Sequence, residues 1–362
     1  MGMRAVVLAG GEGTRLRPLT EHTPKPMLPV GRRRCIDYAL ASLGRAGIDE
    51  VIVTTSYMSD MLIRGLEEGG QGGGPCILFS IEREPLGTAG AVRKVREWLD
   101  STFVVMSADV LADVDLGALV AFHRQRGAVA TMALTRVPDP TEYGIVGLDD
   151  SSRIVRFMEK PKAGEVFSDL INAGIYVLEP AALDHVPPDA KFDFSKDLFP
   201  ILLEGGHGLY GSRIEGLWMD IGRPADLIAA NQAVVLREGG AVSIPGADVR
   251  GPVLVGEDVV VERGVVIEGP AMLGDGAQVR AGATVSRSVV HAGAVVGPGA
   301  RVEDSVMMRA SSVSAHAILL RTILGEGARV GEEAHVAESV LGRGAHVPAL
   351  GRLHGERVEG SR

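Results

Sequence analysis

Eleven residues near the amino terminus, Gly10 to Thr20 (GGEGTRLRPLT), follow directly on an apolar run, Ala5 to Ala9, and carry the strongest local chemical signal. Glycines at the exit of a strand let successive backbone N–H groups converge on phosphate oxygens, because without Cβ atoms the chain approaches the anion closely. The segment therefore reads as a phosphate cradle, or more simply as a tight turn. It is not a dinucleotide fingerprint, which needs a third glycine where Leu16 stands, nor a Walker loop, which needs Gly-Lys-Ser/Thr after four spacers. Arg15, and Lys25 in PKPMLP (residues 24–29), lie close to the turn with nothing apolar to bury. Transfer to an α-phosphate creates charge that a guanidinium fork and an ammonium stabilise, so this pair points to nucleotidyl chemistry.

Two carboxylates complete the picture. Asp109 closes the buried-looking strand FVVMS, and Asp220 ends LWMD directly after large apolar residues. A carboxylate at such a place needs a partner, and Mg²⁺ is commonly held by one or two carboxylates together with substrate phosphates. Two separately capped, turn-forming aspartates would read the same way. Glu159-Lys160 before Pro161 is, on its residues alone, an exposed charged turn.

The elements that must position these groups come in two styles. From residue 3 to about 135, aliphatic runs alternate with amphipathic stretches, the pattern of a Rossmann-like α/β fold with a mostly parallel sheet and helices on both faces. Such sheets bind ligands at the carboxyl ends of their strands. The spacing then predicts a hairpin over 144–157, a strand over 171–178 and a helix over 224–236. After about residue 240 the character changes. Val255, Val261, Ile267, Leu273, Val279 and Val285 fall six apart, and Ser288, Ser305, Thr322 and Ser339 fall 17 apart, each followed by a β-branched residue. These are hexapeptide repeats of a left-handed parallel β-helix, with about five or six coils expected. The expected organisation is a catalytic domain over 1–238, the β-helix over 239–350 and a tail over 351–362.

Composition narrows the partners. A net charge of −9 argues against nucleic acid, and Cys35 and Cys76 are too few for a disulfide framework or a zinc site. The first apolar run is too short for a signal peptide or a membrane span, so the expected setting is the cytoplasm, with no membrane partner. Coils that bury aliphatic edges only against their neighbours leave open ends, so a homo-oligomer formed through the β-helix is expected.

GGEGTRLRPLT and PKPMLP resemble the signature of the sugar-nucleotide pyrophosphorylases, the sugar-1-phosphate nucleotidyltransferases. The match continues in the family's order through EPLGTAG (84–90), Asp109, EYG (142–144), FMEKP (157–161), INAGIYVLEP (171–180) and LWMDIGRP (217–224). Within that family the whole chain is most similar to the GDP-mannose pyrophosphorylases. The resemblance implies a nucleoside triphosphate and a sugar 1-phosphate as substrates and Mg²⁺ as cofactor, held jointly by Asp109 and Asp220. It assigns the nucleotide to Leu8, Ala9, Gly10, Gly11, Gly13, Thr14, Arg15, Lys25, Glu82, Pro85, Gly87, Thr88 and Asp109. It assigns the sugar phosphate to Gly144, Glu159, Lys160 and Asn172, and catalysis to Arg15, Lys25, Asp109 and Asp220. Thymidylyl-transferring relatives carry Gln in place of Glu82. A carboxylate only accepts, which suits the N1–H and N2 amino donors of guanine, so GTP is favoured, and mannose 1-phosphate with it. The competing expectations are a glucose-1-phosphate thymidylyltransferase, a guanylyltransferase for another sugar or cyclitol 1-phosphate, and a non-catalytic regulatory subunit. A catalytic β-helix using His291, His316, His335 or His346 is a weaker rival, since histidines spaced along repeat turns are usually surface residues.

Overall fold

The chain alternates strand and helix from the start: β1 (Arg4–Leu8), β2 (Pro29–Val30), β3 (Arg33–Arg34), α1 (Cys35–Arg45), β4 (Glu50–Thr55), α2 (Ser59–Gly69), β5 (Cys76–Ile81) and α3 (Gly87–Lys94). Next come β6 (Phe103–Ser107), β7 (Val110–Val114), α4 (Leu116–Arg126), β8 (Ala130–Arg136), β9 (Gly144–Leu148), β10 (Ile154–Glu159) and β11 (Leu170–Leu178). Then follow α5 (Phe199–Glu204), β12 (Leu209–Arg213), β13 (Gly216–Asp220) and α6 (Pro224–Glu238). This computed structural model describes residues 2–69 and 74–360. It divides into two units, Met1–Gly11 with Cys35–Met219, and Glu12–Arg34 with Asp220–Arg362. Among the described residues no helix is long and apolar enough to cross a membrane.

The first unit is built on one sheet in the order β10-β9-β11-β6-β1-β4-β5, with β8 and β12 joined beside β11. β1, β4, β5 and β6 pair in parallel. Their near-continuous aliphatic runs are what a sheet covered on both faces requires. Helix α1 shows why the cover forms: Ile36, Ala39, Leu40 and Leu43 recur at helical spacing and are all buried. Helix α4 is fixed at both ends, by Asp115 accepting from the Ala118 N–H at 3.0 Å and by Gly127 in the left-handed conformation. The parallel order stops at β11, which runs antiparallel to β6, β8 and β9. The hairpin expected over 144–157 is the antiparallel pair β9–β10.

In the second unit the repeats form three parallel sheets of short strands, with seven rungs on two faces and six on the third, as in a left-handed parallel β-helix. That exceeds the five or six coils expected. Asp248–Arg250 starts one face, and Arg352–His354 and Arg357–Val358 close two of them, so the ladder runs into the segment expected as a tail. The two sequence periods also gain a cause. Asp248, Val266 and Thr284 stack at 18-residue intervals, three hexapeptides per coil, whereas Thr284, Arg301, Ile318, His335 and Arg352 stack at 17. At the shortened corner a buried hydroxyl takes over a hydrogen bond. Ser288 Oγ donates to the Ser286 carbonyl at 2.7 Å and accepts from the Ser305 N–H at 3.0 Å. Ser305, Thr322 and Ser339 repeat the arrangement up the stack, the last accepting from the Glu356 N–H at 3.1 Å. A buried N–H without a partner is costly, so a hydroxyl is required at each of these corners.

Candidate active site

In the first unit the carboxyl ends of the parallel strands carry part of the predicted nucleotide set. Leu8 stands level with Thr54 of β4 and Ser107 of β6. The chain beyond each strand is tied to its neighbour: the Ala9 N–H donates to Thr54 O and the Ala108 N–H to Leu8 O, both at 2.9 Å, and Ser56 Oγ donates to Gly10 O at 3.0 Å. Gly10 therefore leaves the sheet at the edge where Asp109 turns β6 into β7, and Gly11 follows it. Glu82 continues β5 at the same edge, its N–H bonded to Thr55 O at 2.8 Å. It is 6 % exposed. Its carboxylate accepts from the Leu86 N–H at 2.9 Å, which fixes its orientation. Burial pushes its pKa up, with the Leu86 N–H and Lys94 opposing. Pro85 lies in the turn between Glu82 and α3. Gly87 opens α3, where Thr88 N and Oγ1 both donate to Asp193 Oδ1, at 3.1 and 3.3 Å.

The sugar-phosphate residues form a second group in the same unit. Glu159 and Gly144 face each other across β10 and β9. A Cβ on Gly144 would lie 2.8 Å from Glu159 Oε2 and from the Phe157 ring, so only glycine fits. Glu159 is hydrogen-bonded to Ser195, and burial raises its pKa against the pull of Lys160 and Lys196. A register shift in β11 between Asn172 and Tyr176 breaks its ladder with β8, and bulges of this kind re-aim side chains. Here Asn172 Nδ2 donates to Tyr176 Oη at 2.9 Å and Ser195 Oγ at 3.1 Å. Lys160 holds a positive φ of 48°, with its N–H on Tyr143 O at 2.9 Å. Tyr143 packs edge-on against Trp218, whose indole donates to Ala173 O at 2.8 Å. Sequence reasoning did not find Asp193, Ser195, Lys196 or Trp218. The only trace of the first three was the run DFSKD (193–197), with no spacing to connect it to Glu159 or Asn172, while Trp218 stood in LWMD with no role assigned to it.

The remaining candidates belong to the second unit. Gly13, at φ 63°, caps a short 3-10 turn, Thr14–Leu16. Thr20 Oγ1 donates to Gly13 O at 2.9 Å. A Cβ on Gly13 would lie 3.0 Å from Lys25 Cβ, so the glycine makes room for the lysine stem. Lys25 is 7 % exposed, and a buried ammonium is tolerated only where anionic or polar groups meet it. Arg15 and Asp220 come together at Gly222, whose added Cβ would lie 2.9 Å from both Arg15 Nη2 and Asp220 Oδ2. Gly222, which the sequence did not single out, therefore spaces a cation and a carboxylate. Gly222→Ala is expected to displace one of them and lower kcat by up to about 10²-fold, the scale of a displacement of about 1 Å at a reacting centre. An unchanged kcat in a pyrophosphate-release assay would show that the spacing Gly222 sets is not needed for turnover.

The loop bearing these residues is anchored within its own unit. The Gly31 N–H donates to Asn231 Oδ1 of α6 at 2.8 Å, and Asn231 Nδ2 donates to Leu227 O at 2.9 Å. Arg32 reaches Val255 O at 2.7 Å, and Arg357 of the last coil reaches Arg17 O at 2.6 Å.

Residues 4–236 match the family described as Nucleotidyl transferase, and residues 267–358 match the GMPPB C-terminal domain. A Synechocystis protein named UTP–glucose-1-phosphate uridylyltransferase is 36% identical over 338 residues, covering 84% of this chain and 87% of its own. An Oryza sativa protein named probable mannose-1-phosphate guanylyltransferase 1 is 36% identical, covering 86% and 87%. HddC from Yersinia pseudotuberculosis, solved in complex with GMP-PN, is 26% identical, with a TM-score of 0.55 over 64% of this chain and 100% of its own. With strand ends, glycine loop and repeat module all in the family's order, the chain belongs to the nucleotidyl transferase family, as an enzyme that transfers a nucleotidyl group to a sugar 1-phosphate.

Proposed function

We propose that the enzyme joins GTP to mannose 1-phosphate, releasing pyrophosphate and forming GDP-mannose. The observation that carries the choice of base is Glu82, a buried carboxylate held by the Leu86 N–H at the carboxyl edge of the sheet. A carboxylate offers about four acceptor sites, and guanine presents adjacent N1–H and N2 donors. Relatives named as mannose-1-phosphate guanylyltransferases at 36–40% identity, and the GMP-PN complex of HddC, support the same base. The uridylyltransferase relative is the reason to test rather than assume it.

The reaction is an in-line attack by a phosphate oxygen of the sugar 1-phosphate on the α-phosphorus. A new P–O bond forms and the bond to pyrophosphate breaks. The nucleophile is already an anion near neutral pH, so no general base is required, and catalysis reduces to positioning and charge stabilisation. Arg15 and Lys25 clamp the triphosphate and stabilise the charge that develops. Glu159 accepts from sugar hydroxyls, Lys160 pairs with the sugar's phosphate, and Asn172 donates beside it. Asp109 and Asp220 are the residues proposed to hold Mg²⁺. Their oxygen-only chemistry fits Mg²⁺, which is commonly held by one or two carboxylates and completes its shell with phosphates and water. When bound, the ion neutralises charge on the phosphate oxygens.

Crossing the four common triphosphates with mannose, glucose and cyclitol 1-phosphates in a pyrophosphate-release assay tests the assignment. GTP with mannose 1-phosphate is expected to give the highest kcat/KM. UTP or dTTP turned over more efficiently than GTP would overturn the choice of base. Glu82→Gln is expected to lower kcat/KM for GTP by about 10-fold or more, the scale of one hydrogen bond to a charged group, while leaving the KM for the sugar phosphate unchanged.

A further inference from the structure

Just before α5 the chain makes a single π-helical turn, Phe194–Leu198, in which the Asp197 and Leu198 N–H groups both donate to Asp193 O at 3.1 Å. Such turns are rare and occur mostly at functional sites. Phe194 and Leu198 are buried, and Ser195 between them is half-buried. The turn is held from two directions. On one, the Phe194 ring lies 5.0 Å from that of Tyr176 in β11, centroid to centroid. On the other, the Phe194 N–H donates to Thr88 Oγ1 of α3 at 2.9 Å, and the Asp193 N–H donates to Asp197 Oδ2 at 2.7 Å. Ser195 is therefore fixed in place by its neighbours before any bond of its own is counted.

Around Ser195 the hydrogen bonds have a direction. Asn172 Oδ1 accepts the Gly174 N–H at 2.9 Å, so its Nδ2 is the atom that faces the two hydroxyls and donates to Tyr176 Oη at 2.9 Å and Ser195 Oγ at 3.1 Å. Ser195 is hydrogen-bonded in turn to Glu159 and to Tyr176. An ionised carboxylate only accepts, so Ser195 gives its one proton to Glu159, and the bond between the two hydroxyls is donated by Tyr176. Burial pushes the Tyr176 phenol well above its usual range, which keeps that proton on the ring oxygen. The donors thus run one way, from the Gly174 N–H through Asn172 and Tyr176 to Ser195 and last to Glu159, and in such a chain each bond strengthens the next.

We infer that Ser195 is a positioning residue for sugar recognition, holding Glu159 as an oriented, ionised acceptor for the sugar hydroxyls. The inference rests on the reading that Glu159 accepts from those hydroxyls. Glu159 Oε2 lies over Gly144, 2.8 Å from where a Cβ would stand, so one face of the carboxylate is left uncovered by the glycine while the serine proton holds the group from the turn. The charged groups facing Glu159 are Lys160 beside it and Lys196 and Asp193 from the turn, with the Tyr176 phenol from β11. Burial pushes the Glu159 pKa up, whereas Lys160, Lys196 and the Ser195 bond pull it down. A protonated Glu159 would become a donor at one oxygen and would meet a sugar hydroxyl with the wrong polarity there. Loss of the serine hydroxyl therefore removes both the orientation and part of what keeps the charge.

Steady-state pyrophosphate release by the full chain, with GTP saturating and mannose 1-phosphate varied, tests this; if the substrate panel prefers another pair, that pair is used. Ser195→Ala is expected to raise the KM for the sugar phosphate about 10-fold, the loss of one hydrogen bond to a charged group, with kcat and the KM for GTP little changed. The acidic limb of its kcat/KM profile is expected to move to higher pH, because without the serine burial prevails and Glu159 keeps its proton further up the scale. The substrate phosphate titrates alike for every variant, so the displacement reports on the enzyme. Ser195→Thr keeps the hydroxyl and is expected to restore both quantities. In a Glu159→Gln background, where no carboxylate remains, Ser195→Ala is expected to add little further. The inference falls, and the reading of Glu159 stands, if Glu159→Gln raises the KM for the sugar phosphate while Ser195→Ala leaves KM and pH limb unchanged, if threonine is as impaired as alanine, or if the serine effect is undiminished without the carboxylate. If Glu159→Gln itself leaves that KM unchanged, the reading falls and the inference with it. Circular dichroism melting establishes that the variants fold. Should Ser195→Ala fail to fold, Ser195→Cys, whose thiol is a weak donor, is judged by the same outcomes.

Discussion

Asp109→Asn is expected to lower kcat by about 10³-fold or more, equivalent to about 4 kcal/mol of transition-state stabilisation, with little change in the melting temperature. The substitution keeps the shape of the side chain and removes its charge. Asp109 lies in the two-residue turn between β6 and β7, half-buried, where the Ala108 N–H is already tied to Leu8 O. The turn therefore persists in the variant, and what is lost is an anionic oxygen donor at the carboxyl edge of the sheet. Pyrophosphate release measured across a Mg²⁺ titration separates the causes. If Asp109 holds the ion, the variant needs more Mg²⁺ for half-maximal rate as well as turning over slowly. Retention of most activity would contradict the metal assignment and leave Asp109 as a turn residue.

Lys25→Met is expected to lower kcat by about 10²-fold, close to 2.7 kcal/mol, the effect of removing one electrostatic stabiliser from a transferring phosphoryl group. Methionine is the informative replacement because the lysine stem packs against Gly13, and alanine would add a cavity to the loss of charge. Lys25→Ala should be at least as slow. The expected signature is a fall in kcat with the KM for the sugar phosphate unchanged, since Glu159, Lys160 and Asn172 are untouched. A Lys25→Met enzyme with wild-type kcat would assign the buried ammonium to the stability of the loop alone.

The anchoring of that loop bears on how the repeat module contributes. Arg15 and Lys25 stand on a segment pinned to α6 through Asn231 and to the last coil through Arg357. The repeat module thus anchors residues proposed for catalysis. Of the histidines offered as rival bases, His291 is buried, with its pKa pushed down to about 4 by burial, while His316, His335 and His346 are exposed.

Local signals in this chain were those carried by short-range physics. Aliphatic runs buried on both faces, the helical spacing of Ile36, Ala39, Leu40 and Leu43, and the six- and 17-residue periods follow from backbone geometry within a few residues, so they could be read before any coordinates. Residue types named the chemistry for the same reason: a glycine turn, a guanidinium, an ammonium and two carboxylates have their properties wherever they lie. Which groups share a site depends instead on contacts between segments far apart in sequence, and no period encodes those. Ser195 reaches Asn172 and Glu159, Asp193 meets the start of α3, and Gly222 spaces Arg15 from Asp220, all through packing of distant elements.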